Sequence, residues 1–375
     1  MNIVIKEVTG KKELRQFVRF NIDLYKGNPY HVPSLIYDEM MTLDRKQNPA
    51  FEVCDAIYFL AYKGDRIVGR IAGIINRRSN EVWNQKRARF GFVDFIDDDE
   101  VVDALFNAVR QWAKQQGMEE LCGPMGFTDL DHEGMLVHGF DQLGTMATIY
   151  NHPYYPQQLE RMGFVKDQDW HEFKVYVPDC VPEKHLRIGE IVKRKYGLKV
   201  VKCKSKKEVM PYARPLFETL NISYAPLYGF SPLTDKQIDY YINMYIPMLR
   251  LDLLTLIVRE EDNAVVGFGI SIPSLSRALQ KSKGQLWPFG WFHLLKALRS
   301  KPEIVDLYLM GVLPEYQSKG VNALLFNDLI PIYKSLGVVY AESNPELESN
   351  NAVQAQWDYF KREHHKTRRV FIQQL

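Results

Sequence analysis

The sequence is poor in the features that mark secreted, metal-binding and membrane-spanning proteins. No apolar run reaches the roughly 18 residues needed to cross a bilayer, and the first residues lack the cationic and then apolar pattern of a signal peptide. No Cys-x-x-Cys pair occurs, and the 4 cysteines are widely spaced, at Cys54, Cys122, Cys180 and Cys203. This spacing predicts reduced thiols and no metal site. We therefore expect a cytoplasmic protein.

A strong charge imbalance is also missing. The chain has 48 Lys and Arg residues against 46 Asp and Glu residues, and its basic residues are scattered. Nucleic-acid-binding domains concentrate basic residues on one face, so no nucleic-acid partner is expected. What the chain does have is 375 residues with 46% hydrophobic and 25% charged residues, an ordinary globular composition. This length and composition predict about two domains with buried cores.

The most informative stretch runs from Leu313 to Ala323, with the sequence Leu-Pro-Glu-Tyr-Gln-Ser-Lys-Gly-Val-Asn-Ala. An apolar run precedes it and a helical pattern follows it, which predicts a strand-to-helix turn. Backbone amides at a helix start have no intrahelical acceptor and lie at the positive end of the helix dipole. Gly320 permits close backbone approach, and Lys319 adds a positive charge. The turn is therefore predicted to bind phosphate.

The motif Gln317-x-x-Gly320-x-Asn322 resembles the pyrophosphate loop of the GNAT acyltransferase superfamily, where Gly or Ala is usual at the last position. Downstream, a strand to Glu342, a helix from Asn350-Asn351 through Lys361 and a strand from Arg369 to Gln373 follow the order of that fold. The resemblance implies acetyl-CoA or another acyl-CoA as co-substrate. The residues it assigns to that ligand are Val312, Leu313, Gln317, Ser318, Lys319, Gly320, Val321, Asn322 and Asn351.

The N-terminal half has a similar order of strands and helices at a period near 190 residues, which indicates a duplicated domain. Its segment from Leu159 to Phe164, Leu-Glu-Arg-Met-Gly-Phe, resembles the end of the GNAT helix motif. The equivalent of the phosphate loop is acidic, from Asp97 to Glu100, and would repel a diphosphate. We therefore predict an α/β (α+β) fold with two tandem GNAT-like domains, each a mixed, mostly antiparallel sheet flanked by helices. They would cover residues 1–178, without the loop, and 198–375, with it, joined by a helical linker at 179–197.

The resemblance also implies a mechanism, in which an amine attacks the CoA thioester directly. Tyr359 matches the position whose hydroxyl protonates the leaving thiolate in many members. Glu342 is the first candidate for the general base and Asp306 the second, with a water chain as the alternative. Backbone amides near Gly311, Val312 and Leu313 would hold the pantetheine arm and polarise the carbonyl. Each of these residues also has a purely structural interpretation.

The acceptor side is predicted in the first domain and in an insert at residues 274–300. The insert combines aromatic and basic residues, which fits a helix packed on the other domain, a lid over a substrate pocket, or contact with a membrane surface through residues 284–300. Carboxylates after a strand would suit an amine. The candidate substrate residues are Asp129, Asp131, His132, Glu133, Asn151, Tyr154, Trp287 and Trp291.

Three functions fit this pattern. The first is an acetyltransferase-like, acyl-CoA-dependent N-acyltransferase that acts on a small-molecule amine. The second transfers a long acyl chain to a lipid amine, as do the bacterial ceramide synthases that resemble GNAT proteins. The third is a non-catalytic, acyl-CoA-binding regulator, which the irregular Asn322 and the displaced Asn351 favour. Because the duplication can supply the pairing that single domains gain by dimerising, the chain is expected to be a monomer or a homodimer.

Overall fold

The computed structural model describes residues 2–375. Its strands are β1 (Ile3–Glu7), β2 (Cys54–Lys63), β3 (Arg66–Asn76), β4 (Arg87–Phe95), β5 (Glu120–Gly123), β6 (Met135–His138), β7 (Val165–Tyr176), β8 (Leu198–Val201), β9 (Leu254–Arg259), β10 (Val265–Pro273), β11 (Ile304–Val312), β12 (Tyr340–Ser343), β13 (Glu346–Leu347) and β14 (Arg362–Gln374). Its α-helices are α1 (Lys11–Leu24), α2 (Ile36–Leu43), α3 (Arg77–Val82), α4 (Asp99–Gln115), α5 (Tyr154–Arg161), α6 (Glu183–Tyr196), α7 (Lys206–Tyr224), α8 (Asp235–Tyr245), α9 (Ser276–Ser282), α10 (Gly290–Arg299), α11 (Asn322–Leu336) and α12 (Asn351–Gln354).

The chain forms two compact units. Unit 1 contains Met1–His171, Leu275–Leu294 and Lys366–Leu375, and unit 2 contains Glu172–Ser274 and Leu295–His365. These units differ from the linear division predicted at residues 178 and 198. Most of the insert and the last ten residues group with the first half of the chain, because their contacts lie there. The strands β7 and β14 each begin in one unit and end in the other.

Unit 1 is built on a mixed sheet in the order β1-β2-β3-β4-β5-β14. The pairs are antiparallel except β4 with β5, which is parallel. Helix α4 packs its apolar face on this sheet and is capped by the preceding residue, Asp98, whose side chain accepts a hydrogen bond from the Glu100 amide at 3.1 Å. The acidic turn predicted at Asp97 to Glu100 is therefore a capped helix start. Lys63 binds the same carboxylate at 2.8 Å.

Unit 2 has a sheet in the order β8-β9-β10-β11-β12-β7. Here β11 and β12 are parallel, and α11 connects them as the crossover that a parallel pair requires. The apolar side chains of α11 pack on the sheet and on α6, with Val192, Leu324 and Leu325 among the buried residues. Gly337, at a φ of 81°, ends the helix in the left-handed conformation.

One predicted element of unit 2 is wrong. The helix expected from Asn350 to Lys361 is only the short α12, followed by a 3-10 turn at Ala355–Tyr359. Trp357 is buried and its indole donates to Glu346 at 2.7 Å, which fixes the tight turn, and Phe360 is already extended. The last strand consequently begins at Arg362, seven residues before the predicted start at Arg369.

Candidate functional site

The turn between β11 and α11 has an unusual backbone. Ser318 and Gly320 both have positive φ angles, of 58° and 80°. The Gln317 side chain donates to the Val312 carbonyl at 2.9 Å and ties the turn back to the end of its strand. This combination reverses the chain within a few residues and brings the start of α11 directly beside the end of β11.

The start of α11 presents free backbone amides. The first helical bonds run from Ala323 to the Gly320 carbonyl and from Leu324 to the Val321 carbonyl, and no side chain caps the helix. Within the residues that the structure describes, the four consecutive amides from Ser318 to Val321 have no hydrogen-bond acceptor. Such a group of amides at the positive end of a helix dipole can bind an anion.

Gly320 meets two independent requirements at this turn. Its φ of 80° is one that side-chain-bearing residues rarely adopt, and a Cβ placed on it would lie 2.6 Å from the Cγ2 atom of Ile188 on α6. The backbone therefore approaches α6 as closely as it can. Lys319 lies over the rings of Tyr196 and Tyr316, at 5.2 and 5.9 Å from their centres, which keeps its charge beside the turn.

The two parallel strands part immediately before this turn. They pair over Ile304–Leu307 and Tyr340–Ser343, after which β12 ends and β11 continues to Val312. The register of β11 against β10 shifts by one residue, which leaves Tyr308 as a bulge. Asn344 donates to the Tyr308 carbonyl at 2.5 Å at the same point. Beyond it the two strands are no longer paired, and we call this unpaired region the gap.

Backbone groups of β11 point alternately toward β10 and toward the gap. The Leu313 amide donates to the Val266 carbonyl of β10 at 2.9 Å, so this predicted pantetheine donor already has an acceptor. The carbonyls of Met310 and Val312 point away from β10 and accept from Tyr224 at 3.0 Å and from Gln317. In a β-strand the amide and carbonyl of one residue point to the same side. The amides of Met310 and Val312 therefore face the gap.

Three tyrosine rings pack against one another at the bulge. Tyr245 on α8 packs edge-on against Tyr308 with ring centres 5.7 Å apart, and their hydroxyls are 3.3 Å apart. Tyr241 stacks on Tyr245 at 5.8 Å. These residues were not among the predicted site residues. The sequence feature that could have indicated them is the spacing of four between Tyr241 and Tyr245, which places both on one face of a helix.

Buried ionisable groups lie on the same sheet in unit 2. Asp306 and Glu342 are opposite each other on the parallel strands, so their side chains share a face. The Nε2 atom of His365 is 3.4 Å from Glu342, and Glu172 is fully buried nearby. Burial, and next the charges of Glu342 and Asp306, raise the pKa of Tyr340 to about 12.

This group, which we call the Glu–His cluster, consists of Glu172, Glu342 and His365. One ligand atom from each lies within 4.8 Å of the others. Two carboxylates and an imidazole at this spacing can move a proton or hold a divalent cation. The sequence predicted Glu342 but missed His365 and Glu172, because they come from β14 and β7, which are distant from it in sequence.

The predicted acid, Tyr359, lies elsewhere in unit 2. Its ring is half-exposed beside α6, its hydroxyl accepts a hydrogen bond from Lys184 at 2.6 Å, and His185 packs edge-on against it. Asn351 is the first residue of α12, which Asn350 caps by accepting from the Val353 amide at 3.3 Å. The structure therefore does not bring Tyr359 together with Glu342, which is buried in the sheet.

Four of the predicted substrate residues in unit 1 hold its own backbone. Asn151 binds both the amide and the carbonyl of Leu136, Asp131 accepts from the amides of Phe127 and Thr128, His132 contacts the Met146 carbonyl, and Tyr154 donates to the Phe95 carbonyl. All these distances lie between 2.7 and 3.0 Å. These contacts give a structural role to side chains that the sequence made candidates for the acceptor site.

Asp129 and Glu133, in contrast, are two carboxyl groups whose pKa values are raised. Burial raises the pKa of Asp129 to about 6, and burial followed by the charge of Asp129 holds the pKa of Glu133 well above its usual range. The Oε2 atom of Glu133 is buried and has no hydrogen-bond partner within residues 2–375. Two adjacent carboxyl groups that resist ionisation together can accept a cation or a protonated amine. They remain the candidates for an acceptor site in unit 1.

The insert packs on unit 1 through α9. Gln280 donates to the carbonyls of Pro29 and His31 at 2.9 and 3.0 Å, and the Ile36 amide donates to the Gly284 carbonyl at 2.8 Å. Of the three interpretations of the insert, packing on the first half of the chain therefore applies to this helix. Beyond it, Trp287 and Trp291 are 78% and 44% exposed.

Comparison with known proteins places this geometry in a known fold. The chain matches a tandem GNAT protein from the clavulanic acid biosynthesis pathway with a TM-score of 0.56 and 12% identity, over 100% of this chain and 98% of that one. The chain has a tandem GNAT fold. The predicted fold class is thereby confirmed. No protein-family model matches the chain.

Two relatives match this chain over nearly its whole length. Protein YghO of Escherichia coli (strain K12) is 26% identical over 378 residues, covering 99% of this chain and 95% of the relative. A bacterial ceramide synthase of Caulobacter vibrioides (strain NA1000 / CB15N) is 26% identical over 372 residues, covering 97% and 95%.

The Asp129–Glu133 pair makes a prediction about stability and pH. The pKa of Asp129 is about 6 in the folded chain against 3.8 for the free side chain, so ionisation opposes folding. Stability should fall as the pH rises through this window. In Asp129→Asn/Glu133→Gln, the thermal midpoint should rise relative to wild type between about pH 4 and pH 7. The exposed control Asp141→Asn should follow wild type. An identical pH profile for all three proteins would contradict the assignment.

Proposed function

We propose that the chain is an acyl-CoA-dependent N-acyltransferase that transfers an acyl group from a CoA thioester to an amine. The observation that carries the proposal is the set of four acceptor-free amides at the start of α11, where the sequence motif resembles the GNAT pyrophosphate loop. In unit 1 the equivalent helix start is closed by Asp98. The proposal therefore assigns one cofactor site to the chain, and that site lies in unit 2.

The loop geometry supports binding of the CoA pyrophosphate. The amides from Ser318 to Val321 can donate to its oxygens, the helix dipole favours its negative charge, and Lys319 adds a second positive group. Gly320 keeps the space free of a side chain. Acetyl-CoA and longer acyl-CoA molecules share this pyrophosphate, so the loop is proposed to bind either.

The gap between β11 and β12 supports placement of the pantetheine arm. The amides of Met310 and Val312 face the gap and can donate to the amide carbonyls of that arm or to the thioester oxygen. Donors aimed at the oxygen stabilise the negative charge that develops on it when the amine attacks. The sequence predicted amides near Gly311, Val312 and Leu313 for this role, and we propose those of Met310 and Val312.

The reaction balances with groups of unit 2. The amine nitrogen forms a bond to the thioester carbon, the carbon–sulfur bond breaks, the amine loses a proton and the CoA thiolate gains one. We propose Glu342, oriented by His365, as the proton acceptor, directly or through water. The thiolate is proposed to take up its proton through water, because the structure does not bring the predicted acid Tyr359, which is hydrogen-bonded to Lys184, together with Glu342. When bound, acyl-CoA supplies the activated acyl group.

A second candidate concerns the substrates of the same reaction. The relative described as a bacterial ceramide synthase matches 97% of the chain. This likeness favours a long-chain acyl-CoA and an amphiphilic amine over acetyl-CoA and a small polar amine. The loop does not discriminate between these donors, because they differ only beyond the thioester.

Ligand binding tests the cofactor site. Wild type should be stabilised by acetyl-CoA, palmitoyl-CoA or free CoA, by about 2.7 kcal/mol at a ligand concentration of about 100 Kd. Gly320→Glu should lose the shift, because it adds a clash with Ile188 and a negative charge. Gly337→Glu, with the same change at a positive φ at the far end of α11, should retain it. The measurement is the thermal midpoint. Equal shifts in both variants, or none in wild type with any ligand, would contradict the site.

Transfer itself is tested by release of the CoA thiol with a panel of small and long-chain amines, and by mass spectrometry of the product. Glu342→Gln should lower turnover by about 100-fold or more while retaining the CoA-induced thermal shift. Glu363→Gln, an exposed carboxylate on β14, is the matched control. Unchanged turnover in Glu342→Gln would rule out the proposed base. CoA binding without thiol release for any amine would favour the regulator.

A further inference from the structure

The insert carries a charge pattern found nowhere else in the chain. From residue 274 to 302 the sequence has no Asp or Glu. The basic residues of this stretch are Arg277, Lys281, Lys283, Lys296, Arg299 and Lys301. Because the whole chain is close to electrical neutrality, this stretch is a local concentration of positive charge.

The same stretch exposes four aromatic side chains within six residues. Trp287 is 78% exposed, Phe289 71%, Phe292 52% and Trp291 44%. Single exposed aromatics are common, but a contiguous group is typical of a surface that contacts something other than water. Trp and Phe beside Lys and Arg are the residues found where proteins lie in the headgroup region of a bilayer. We call residues 281–299 the aromatic segment.

Hydrogen bonds to the first part of the chain hold the backbone at the start of the aromatic segment. Gln280 binds the carbonyls of Pro29 and His31, and the Gly284 carbonyl accepts from Ile36. A Cβ on Gly284 would lie 2.4 Å from Ile22, so the chain is closely packed at this point. Since the backbone is already ordered there, binding through the neighbouring aromatic side chains would cost little additional conformational entropy.

Helix α10 continues the pattern. Trp291 and Phe292 are exposed in its first turn, and Lys296 and Arg299 are exposed four and seven residues after Phe292. Positions separated by four and seven lie on one face of a helix. This face therefore presents an aromatic residue and two cations together. The Trp291 indole donates to the Pro288 carbonyl at 3.0 Å, which fixes the turn before the helix.

We propose that the aromatic segment binds the surface of an anionic lipid bilayer. The aromatic rings would enter the headgroup region, and the basic side chains would pair with lipid phosphates. Among the described residues, no helix is both long and apolar enough to cross a membrane. The absence of acidic residues over 29 positions gives the segment a charge complementary to anionic lipid. The proposal does not depend on acyl transfer, and its test contains no CoA.

The test is sedimentation of the full chain with vesicles of phosphatidylcholine, with or without about one third phosphatidylglycerol, at about 0.1 M salt. Wild type should bind the anionic vesicles and bind the neutral ones much less. Trp287→Ala/Phe289→Ala/Trp291→Ala/Phe292→Ala should bind at least about tenfold more weakly. Tyr37→Ala/Trp83→Ala removes two exposed aromatics elsewhere in unit 1 and should bind as wild type does.

A charge-reversal variant keeps the test valid if the aromatic variant fails to fold. Lys281→Glu/Lys296→Glu/Arg299→Glu alters only exposed side chains and should also abolish binding to anionic vesicles. Thermal midpoints establish that each variant is folded. Failure of wild type to bind anionic vesicles, or unchanged binding by either folded variant, would overturn the proposal. Concentration-dependent self-association that the aromatic substitutions abolish, without any vesicle binding, would instead assign the segment to contact between copies of the chain.

Discussion

The candidate site depends on the close packing of Gly320 against Ile188 of α6. A side chain cannot fit there, the chain leaves β11 through two residues with positive φ angles, and α11 begins without a side-chain cap. The apolar contacts between α6 and α11 hold that arrangement in place. Free amides, which would cost free energy if they were buried away from water, are thus kept at an accessible helix start. We propose that this constraint makes the strand-to-helix connection an anion site.

The starts of helices α4 and α11 differ between the two units. In unit 1 the Asp98 carboxylate satisfies the start of α4, while in unit 2 the start of α11 is left unsatisfied. The sheet of unit 2 adds the gap beyond the Tyr308 bulge and the Glu–His cluster. Unit 1 keeps Asp129 and Glu133 in surroundings that oppose their ionisation. On this account the duplicated fold has specialised one copy for the donor and freed the other for different contacts.

Local sequence was sufficient where one segment determines the structure by itself. The strand-to-helix turn at Gly320, the acidic helix start at Asp98 and the order of strands all follow from adjacent residues. It was insufficient where distant strands meet, so His365 was not associated with Glu342. It also failed at Trp357, whose burial shortens the expected helix. Asn151 looked like a binding residue because a polar side chain in a loop has the same sequence signal whether it binds backbone or ligand.

We propose that the free amides at the start of α11 hold the CoA pyrophosphate. Hydrogen–deuterium exchange of the full chain, measured with and without free CoA, tests it at the residues concerned. If these amides bind CoA, exchange across residues 313–324 should become slower on adding CoA. No comparable change is expected at the capped helix start around Asp98. Unchanged exchange at 313–324 under conditions where CoA binding is detected independently would contradict it.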